Sequence, residues 1–424
     1  MTPFCTLDSV SRYFIIGLLC VMFMSMRMLF TWPFPSMMIY IVSLIFTLVY
    51  AVKFRTNIRY LSKATFVSLC LFILVYLYEI LFIRELNVIP LLAGFIVIFN
   101  TSVLLMSGKE VRTSLLYCCD FTLKIIIGVS LVGWILFLLG VPLPHFYSET
   151  DAYYKHTVYY LFVLNGTPDE QLVPRFAGMF LEPGHLGTTS CFLLYLNKFN
   201  MKKIGNIILL ASVIFSLSLA AYGLLVGGVM LYFLFNSKKG ILYIIPVIIV
   251  FVGIWIMSVT FHGGDNILYQ KIFARLEFVD GEMTGSNRTT KVFDRMYDRF
   301  VQSDDVYLGM GRETYEKNTS TNLVNGCAGI KRYVYTRGIV GTMMMLLFLV
   351  SLLYANYSPL GLGFFILFVV ANMIRDYPQK ELWLYLYCVA LPFFKYYGKN
   401  NILFSKHKND EVLVPLKMTV YGKE

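Results

Sequence analysis

The residues best suited to chemistry fall in one short run, Arg175-Phe-Ala-Gly178-Met-Phe-Leu-Glu182-Pro183-Gly184-His185-Leu-Gly187. Pro183 fits the first turn of a helix, where its missing N–H would be unpaired in any case. That helix start would present free N–H groups and positive partial charge, which together attract an anion. Arg175 adds a planar fork able to grip a phosphate at two points. Glu182 and His185 can each take a proton. A structural alternative stands beside this reading: Arg175 and Glu182 pair and simply pin the loop. An arginine beside Glu182 would also weaken it as a base, leaving it to orient Arg175.

The elements that must hold this run are membrane helices. Of 424 residues, 58% are hydrophobic and only 14% charged, and the mean hydropathy is +0.67. A soluble chain carries about a quarter charged residues. Lipid-facing helices need no polar face, so charge drops out of them. Net charge is +11, from 36 Lys+Arg against 25 Asp+Glu. Much of that excess lies between apolar runs, so membrane topology explains it more simply than a nucleic-acid partner does. No zinc-finger, RRM or helix-turn-helix pattern is present. Of the cysteines only Cys327 falls clearly in an outer loop, so no disulfide framework is expected. The first apolar stretch lacks an A-x-A cleavage site and reads as a retained helix. His145, His156, His185 and His262 lack metal-ligand spacing, so no metal or other cofactor is expected.

Runs of mainly apolar residues predict helices over 13–31, 34–52, 64–83, 88–106, 122–141, 184–199, 204–220, 221–236, 241–260, 338–355, 359–374 and 382–394. The expected fold is an all-α polytopic membrane protein, a single domain over 1–424 with about a dozen spans. Within 204–236, Ser216-Leu-Ser218 and then Gly223 favour a break into two short helices. Lys and Arg follow every even-numbered helix except the tenth, which places both termini in the cytoplasm. Two long segments, 142–183 and 261–337, then lie outside. In the second, Val292, Phe293, Met296, Tyr297 and Phe300 recur at helical spacing behind an Asn287 cap. They predict an amphipathic helix lying on the protein or the membrane surface. Arg27 and Glu79, inside apolar helices, read as a pair or as lining a cavity, with snorkelling favoured for Arg27. Arg375, Asp376, Lys380 and Glu381 read as a solvated outer turn, with Arg375 reaching phosphate as the alternative.

The pattern Arg175-x-x-Gly178-x-Phe180-x-Glu182-Pro183-x-x-x-Gly187 resembles the signature of Wzy-type polysaccharide polymerases, relatives of the O-antigen ligases. Other pieces agree in order. Ser216-Leu-Ser218 resembles a Ser-containing break, and Asn287-Arg288-Thr289 the arginine that heads a large outer-loop helix. Leu308-Gly309-Met310-Gly311 resembles a Gly-x-Gly turn, and Gly338-Ile-Val-Gly341 the start of the next helix. The likeness covers 170–345. It implies a fold related to the GT-C glycosyltransferases. It implies a substrate too: undecaprenyl-pyrophosphate-linked oligosaccharide at the outer face of the bacterial cytoplasmic membrane. One lipid-linked glycan would lose its pyrophosphate carrier to a sugar hydroxyl of another, building O-antigen or capsular polysaccharide. Membrane lipid and a chain-length regulator protein are the further partners implied. Such chemistry needs cations for the leaving pyrophosphate and a base for the hydroxyl. Arg175, Arg288 and Arg312 are the candidates for pyrophosphate. Glu182 is the first candidate for the base and His185 the second.

Three rivals remain at this stage. A ligase of the same superfamily would change the acceptor and keep the architecture. A transporter or flippase for lipid-linked glycan would favour inverted repeats and helices broken at the midplane, and no repeat is visible. A membrane scaffold would need no chemistry at all.

Overall fold

The computed structural model describes residues 4–54, 62–82, 88–151, 154–166, 174–237, 290–319 and 329–397, with scattered positions between 245 and 283. Its first half contains α1 (Ser9–Ser25), α2 (Ser36–Lys53), α3 (Lys63–Phe82), α4 (Val88–Met106), α5 (Lys109–Leu138), α6 (Pro183–Leu196), α7 (Ile204–Phe215) and α8 (Leu219–Asn236). The second half adds α9 (Lys291–Val301), α10 (Asp305–Leu308), α11 (Arg312–Thr319), α12 (Ile330–Ala355), α13 (Pro359–Ile374) and α14 (Glu381–Tyr397). Among the described residues, α2, α3, α5, α8 and α12 are long and apolar enough to cross a membrane, and several shorter helices are equally apolar. This is the build of a multi-pass membrane protein.

Burial sorts the helices. Every residue of α6 is buried, and α14 is buried from Leu382 through Leu391. A helix apolar all round belongs in the interior. The two are tied by Trp383 Nε1, which donates to Thr189 Oγ1 at 3.0 Å. Around them α1 packs on α2, α3 on α12, and α8 on α13. The α1–α2 hairpin is closed by Asp8, which caps α1 and meets Lys53 at the end of α2 at 2.6 Å.

Helix α5 starts well before the expected residue 122. The polar stretch before residue 122 is helical because its fully buried acid is satisfied inside the bundle. Fully buried Asp120 takes Lys124 at 2.7 Å and the Asn197 amide at 2.8 Å.

The expected break in 204–236 is present. Leu217 takes a left-handed φ of 46°, and Ser216 Oγ accepts from Ser218 N at 3.3 Å. The small antiparallel sheet β1 (Phe146–Asp151), β2 (Tyr154–Val158), β3 (Val163–Asn165) departs from an all-α expectation. These strands are too short for hydrophobic periodicity to mark them. Val163 N donates to the Gly178 carbonyl at 2.8 Å, and Leu29 N to the Met179 carbonyl at 2.9 Å. The sheet and the α1–α2 turn thus brace the loop that leads to α6.

The amphipathic helix is α9. Its cap is Thr290, whose Oγ1 accepts from Phe293 N at 3.2 Å; Asn287, the cap expected from sequence, lies outside the described residues. Phe293 and Phe300 pack on Tyr315 and Tyr335, so α9 docks on the protein. Helix α12 kinks at Gly338 (φ 67°), and the turn after α10 fills the kink. Met310 N donates to the Tyr335 carbonyl at 2.8 Å and Gly311 N to that of Thr336 at 3.1 Å. Gly309 (φ 85°) lies so close that a Cβ there would sit 2.5 Å from Gly338 N. The two glycine motifs noted in the sequence are therefore the two halves of one joint.

Candidate functional site

Glu182 is the N-cap residue of α6, with Pro183 in the first turn as expected. Its carboxylate makes no capping bond. It takes Arg375 instead, whose Nη1 donates to Glu182 Oε2 at 2.6 Å. The guanidinium lies across the helix start so closely that any Cβ on Gly184 would overlap it. His185 Nε2 is 4.0 Å from the same carboxylate oxygen. The imidazole is buried between Tyr377 and Trp383, at ring distances of 5.2 and 6.4 Å. Neither ring nitrogen has a hydrogen-bond partner among the described residues.

Arg175 approaches from the braced loop. Its Nε donates to the Ser216 carbonyl at 3.1 Å, and Phe176 N to that of Phe215 at 2.9 Å. The α7–α8 break thus supplies the free carbonyls on which the loop docks. Burial pushes the Glu182 carboxyl up, but His185, Arg375 and Arg175 outweigh it and hold the group at about 2. Glu182 is thus an anion throughout the physiological range and a weak proton acceptor.

The turn between α13 and α14 is not the solvated feature that its composition predicts. Arg375 is 13% exposed and Asp376 6%. Arg332 grips Asp376 through two bonds of 2.6 Å, and its guanidinium lies over Tyr377 and Tyr315. Arg337 pairs with Glu79 and donates to Gln379 Oε1 at 3.0 Å. Glu79 is therefore paired with Arg337 on α12, not with Arg27. Lys380 lies over the Tyr377 ring at 5.8 Å. Burial pushes its ammonium down, Glu381 opposes this, and Arg312, Arg27 and Arg332 add to it. The next residue, Glu381, is 7% exposed and accepts from Tyr40 Oη at 2.6 Å.

Of the residues singled out by sequence, Arg175, Glu182 and His185 come together at the start of α6. Arg312 reaches the same end of the bundle through the glycine joint, exposed and paired with Glu316 at 2.7 Å. Arg288 lies outside the described residues. Sequence reasoning missed Lys380 and Glu381 as members of the site, and weighed Arg375 for phosphate but favoured a solvated turn. The available signal was four charged side chains crowded into one short turn between two apolar helices. The arrangement concentrates guanidinium and ammonium groups at a helix N-terminus, with apolar walls behind. It can hold a multiply charged anion and stabilise negative charge as it develops. The chain matches no protein-family model, no curated protein and no solved structure.

Proposed function

We propose that this protein is a Wzy-type polymerase that joins undecaprenyl-pyrophosphate-linked oligosaccharide repeats at the outer face of a bacterial cytoplasmic membrane. The proposal includes about a dozen spans in a GT-C-like arrangement, with both termini cytoplasmic and the α6 start facing outward. The observation that carries it is Arg375 laid across the N-terminus of α6 and held there by Glu182 at 2.6 Å, with Arg175 bonded to the α7–α8 break. A pyrophosphate leaving group is a concentrated, planar-edged anion, and forked guanidiniums suit it. In this reading Arg175, Arg375, Lys380 and Arg312 neutralise the leaving pyrophosphate, joined by Arg288. Glu182 orients the guanidiniums rather than taking the proton. His185, in the same helix turn, is buried between Tyr377 and Trp383 and backs the anion site. The motif likeness supplies the substrate class, and the cation cluster is what that substrate requires.

The test is removal of the chain from its host. A null strain carries single repeat units on lipid or on their final acceptor, without long chains, and the wild-type gene restores the ladder. Long polymer in a null strain that has no second polymerase contradicts the proposal.

A further inference from the structure

If Glu182 is engaged in holding Arg375, another group must take the proton of the attacking hydroxyl. Around the cation cluster, Glu79, Glu182, Glu316 and Asp376 are each ion-paired with an arginine. Each of these carboxylates is thus already engaged by a guanidinium. Glu381 differs. Among the described residues it has no cation within ion-pair distance, and its hydrogen bond comes from the neutral hydroxyl of Tyr40. It sits at the mouth of α14, beside the cluster's Lys380, and is 7% exposed. The groups facing it are Tyr40 from α2, Ser25 from α1, Tyr76 from α3, Lys380 from the turn before α14 and Tyr385 from α14. Ser25 Oγ also accepts from Leu382 N at 3.2 Å, which fixes the first turn of α14.

We infer that Glu381 is the general base of the glycosyl transfer, oriented by the Tyr40 hydroxyl. The inference rests on the polymerase reading given above. In the step, the acceptor hydroxyl oxygen bonds to the anomeric carbon of the donor sugar as its O–H bond breaks. The bond from that carbon to pyrophosphate breaks, and its electron pair leaves with the polyprenyl pyrophosphate. The proton passes to the Glu381 carboxylate, which returns it to solvent. Protonating Glu381 removes a buried charge, whereas protonating His185 would add one beside Arg375. The chain order puts the two requirements side by side: Lys380 serves the leaving group and Glu381 the nucleophile.

The experiment uses the full chain, purified and reconstituted into liposomes. The donor is the polyprenyl-pyrophosphate-linked repeat units that accumulate in a host lacking the chain. Turnover is measured for wild type, Glu381→Gln, Glu381→Asp and Tyr40→Phe, and binding of farnesyl pyrophosphate is measured alongside. Glu381→Gln is expected to lose about 100- to 10,000-fold in turnover, the usual worth of a positioned base. Its farnesyl pyrophosphate binding stays within about twofold, because the phosphate ligands are intact. Glu381→Asp retains part of the rate. Tyr40→Phe falls between wild type and Glu381→Gln, with an altered pH–rate profile. If Glu381→Gln fails to accumulate, the Asp and Phe variants decide: wild-type turnover and pH profile in both overturn the inference. Near-wild-type turnover in Glu381→Gln overturns it too and leaves the polymerase reading standing. No polymer from wild type, with farnesyl pyrophosphate unbound, takes both down.

Discussion

At Glu182 two forces oppose each other. Burial favours the protonated acid, the neighbouring cations favour the carboxylate, and the cations win. The group is depressed from 4.5 to about 2. A depressed acid contributes stability that is fully present above its unfolded value and lost as pH falls through its folded value. Glu182→Gln therefore lowers the unfolding midpoint of the detergent-purified protein at pH 7. The gap from wild type closes as pH falls from about 4.5 toward 2. A gap that stays constant across this range would show that the carboxylate charge is not what holds Arg375. Arg175, Glu182 and His185 were legible in the sequence because they are contiguous and sit beside a proline that announces a helix start. Arg375 was not, since its contact with Glu182 spans 193 positions in the chain. A charged turn between two apolar helices looks the same in sequence whether it faces water or folds back over a buried helix end.

Among the elements, the joint between the α10–α11 turn and the α12 kink links the large loop to the bundle. Gly338 (φ 67°, ψ −179°) and Gly309 (φ 85°, ψ 162°) both occupy a backbone region essentially reserved for glycine. Tyr78 Oη locks the joint by donating to the carbonyls of Leu308 at 2.9 Å and Arg337 at 3.0 Å. Gly338→Ala is expected to cost about 1–3 kcal/mol from backbone strain, with overlap on Tyr307 adding to it. The α9–α11 segment should then be cut faster in limited proteolysis, and turnover should fall as Arg312 loses its place. Unchanged proteolysis would mean that the joint does not hold the loop. At this scale the sequence was informative wherever a period or a punctuating residue existed: the α7–α8 break and the α9 stripe announced themselves, whereas Gly338 read as a helix start and is instead a kink inside a helix that begins at Ile330. The early start of α5 did not, because its polar residues are satisfied by Asn197, far along the chain. The three strands did not, because each is too short to show a pattern.

Across the whole molecule, α6 and α14 are the most completely buried helices among the described residues, and the carboxylate that orients the cations and the proposed base sit at their starts. Glu182 caps the one and Glu381 opens the other, so both helix N-termini and the cation cluster share one end of the bundle. The proposed orientation puts that end outside the cell. Single cysteines near residues 55–60 and 405 are then shielded from an impermeant thiol reagent in intact cells, while those near 150 and 315 are labelled. The reverse pattern would put the site in the cytoplasm and remove it from the substrate. The most direct test of the central claim is polymerisation by the purified chain in liposomes, supplied with lipid-linked repeat units and no nucleotide sugar. A ladder of glycan on lipid, growing in step with released polyprenyl pyrophosphate, is the predicted result. Repeat units that stay single, while the folded protein is present and correctly oriented, would contradict it.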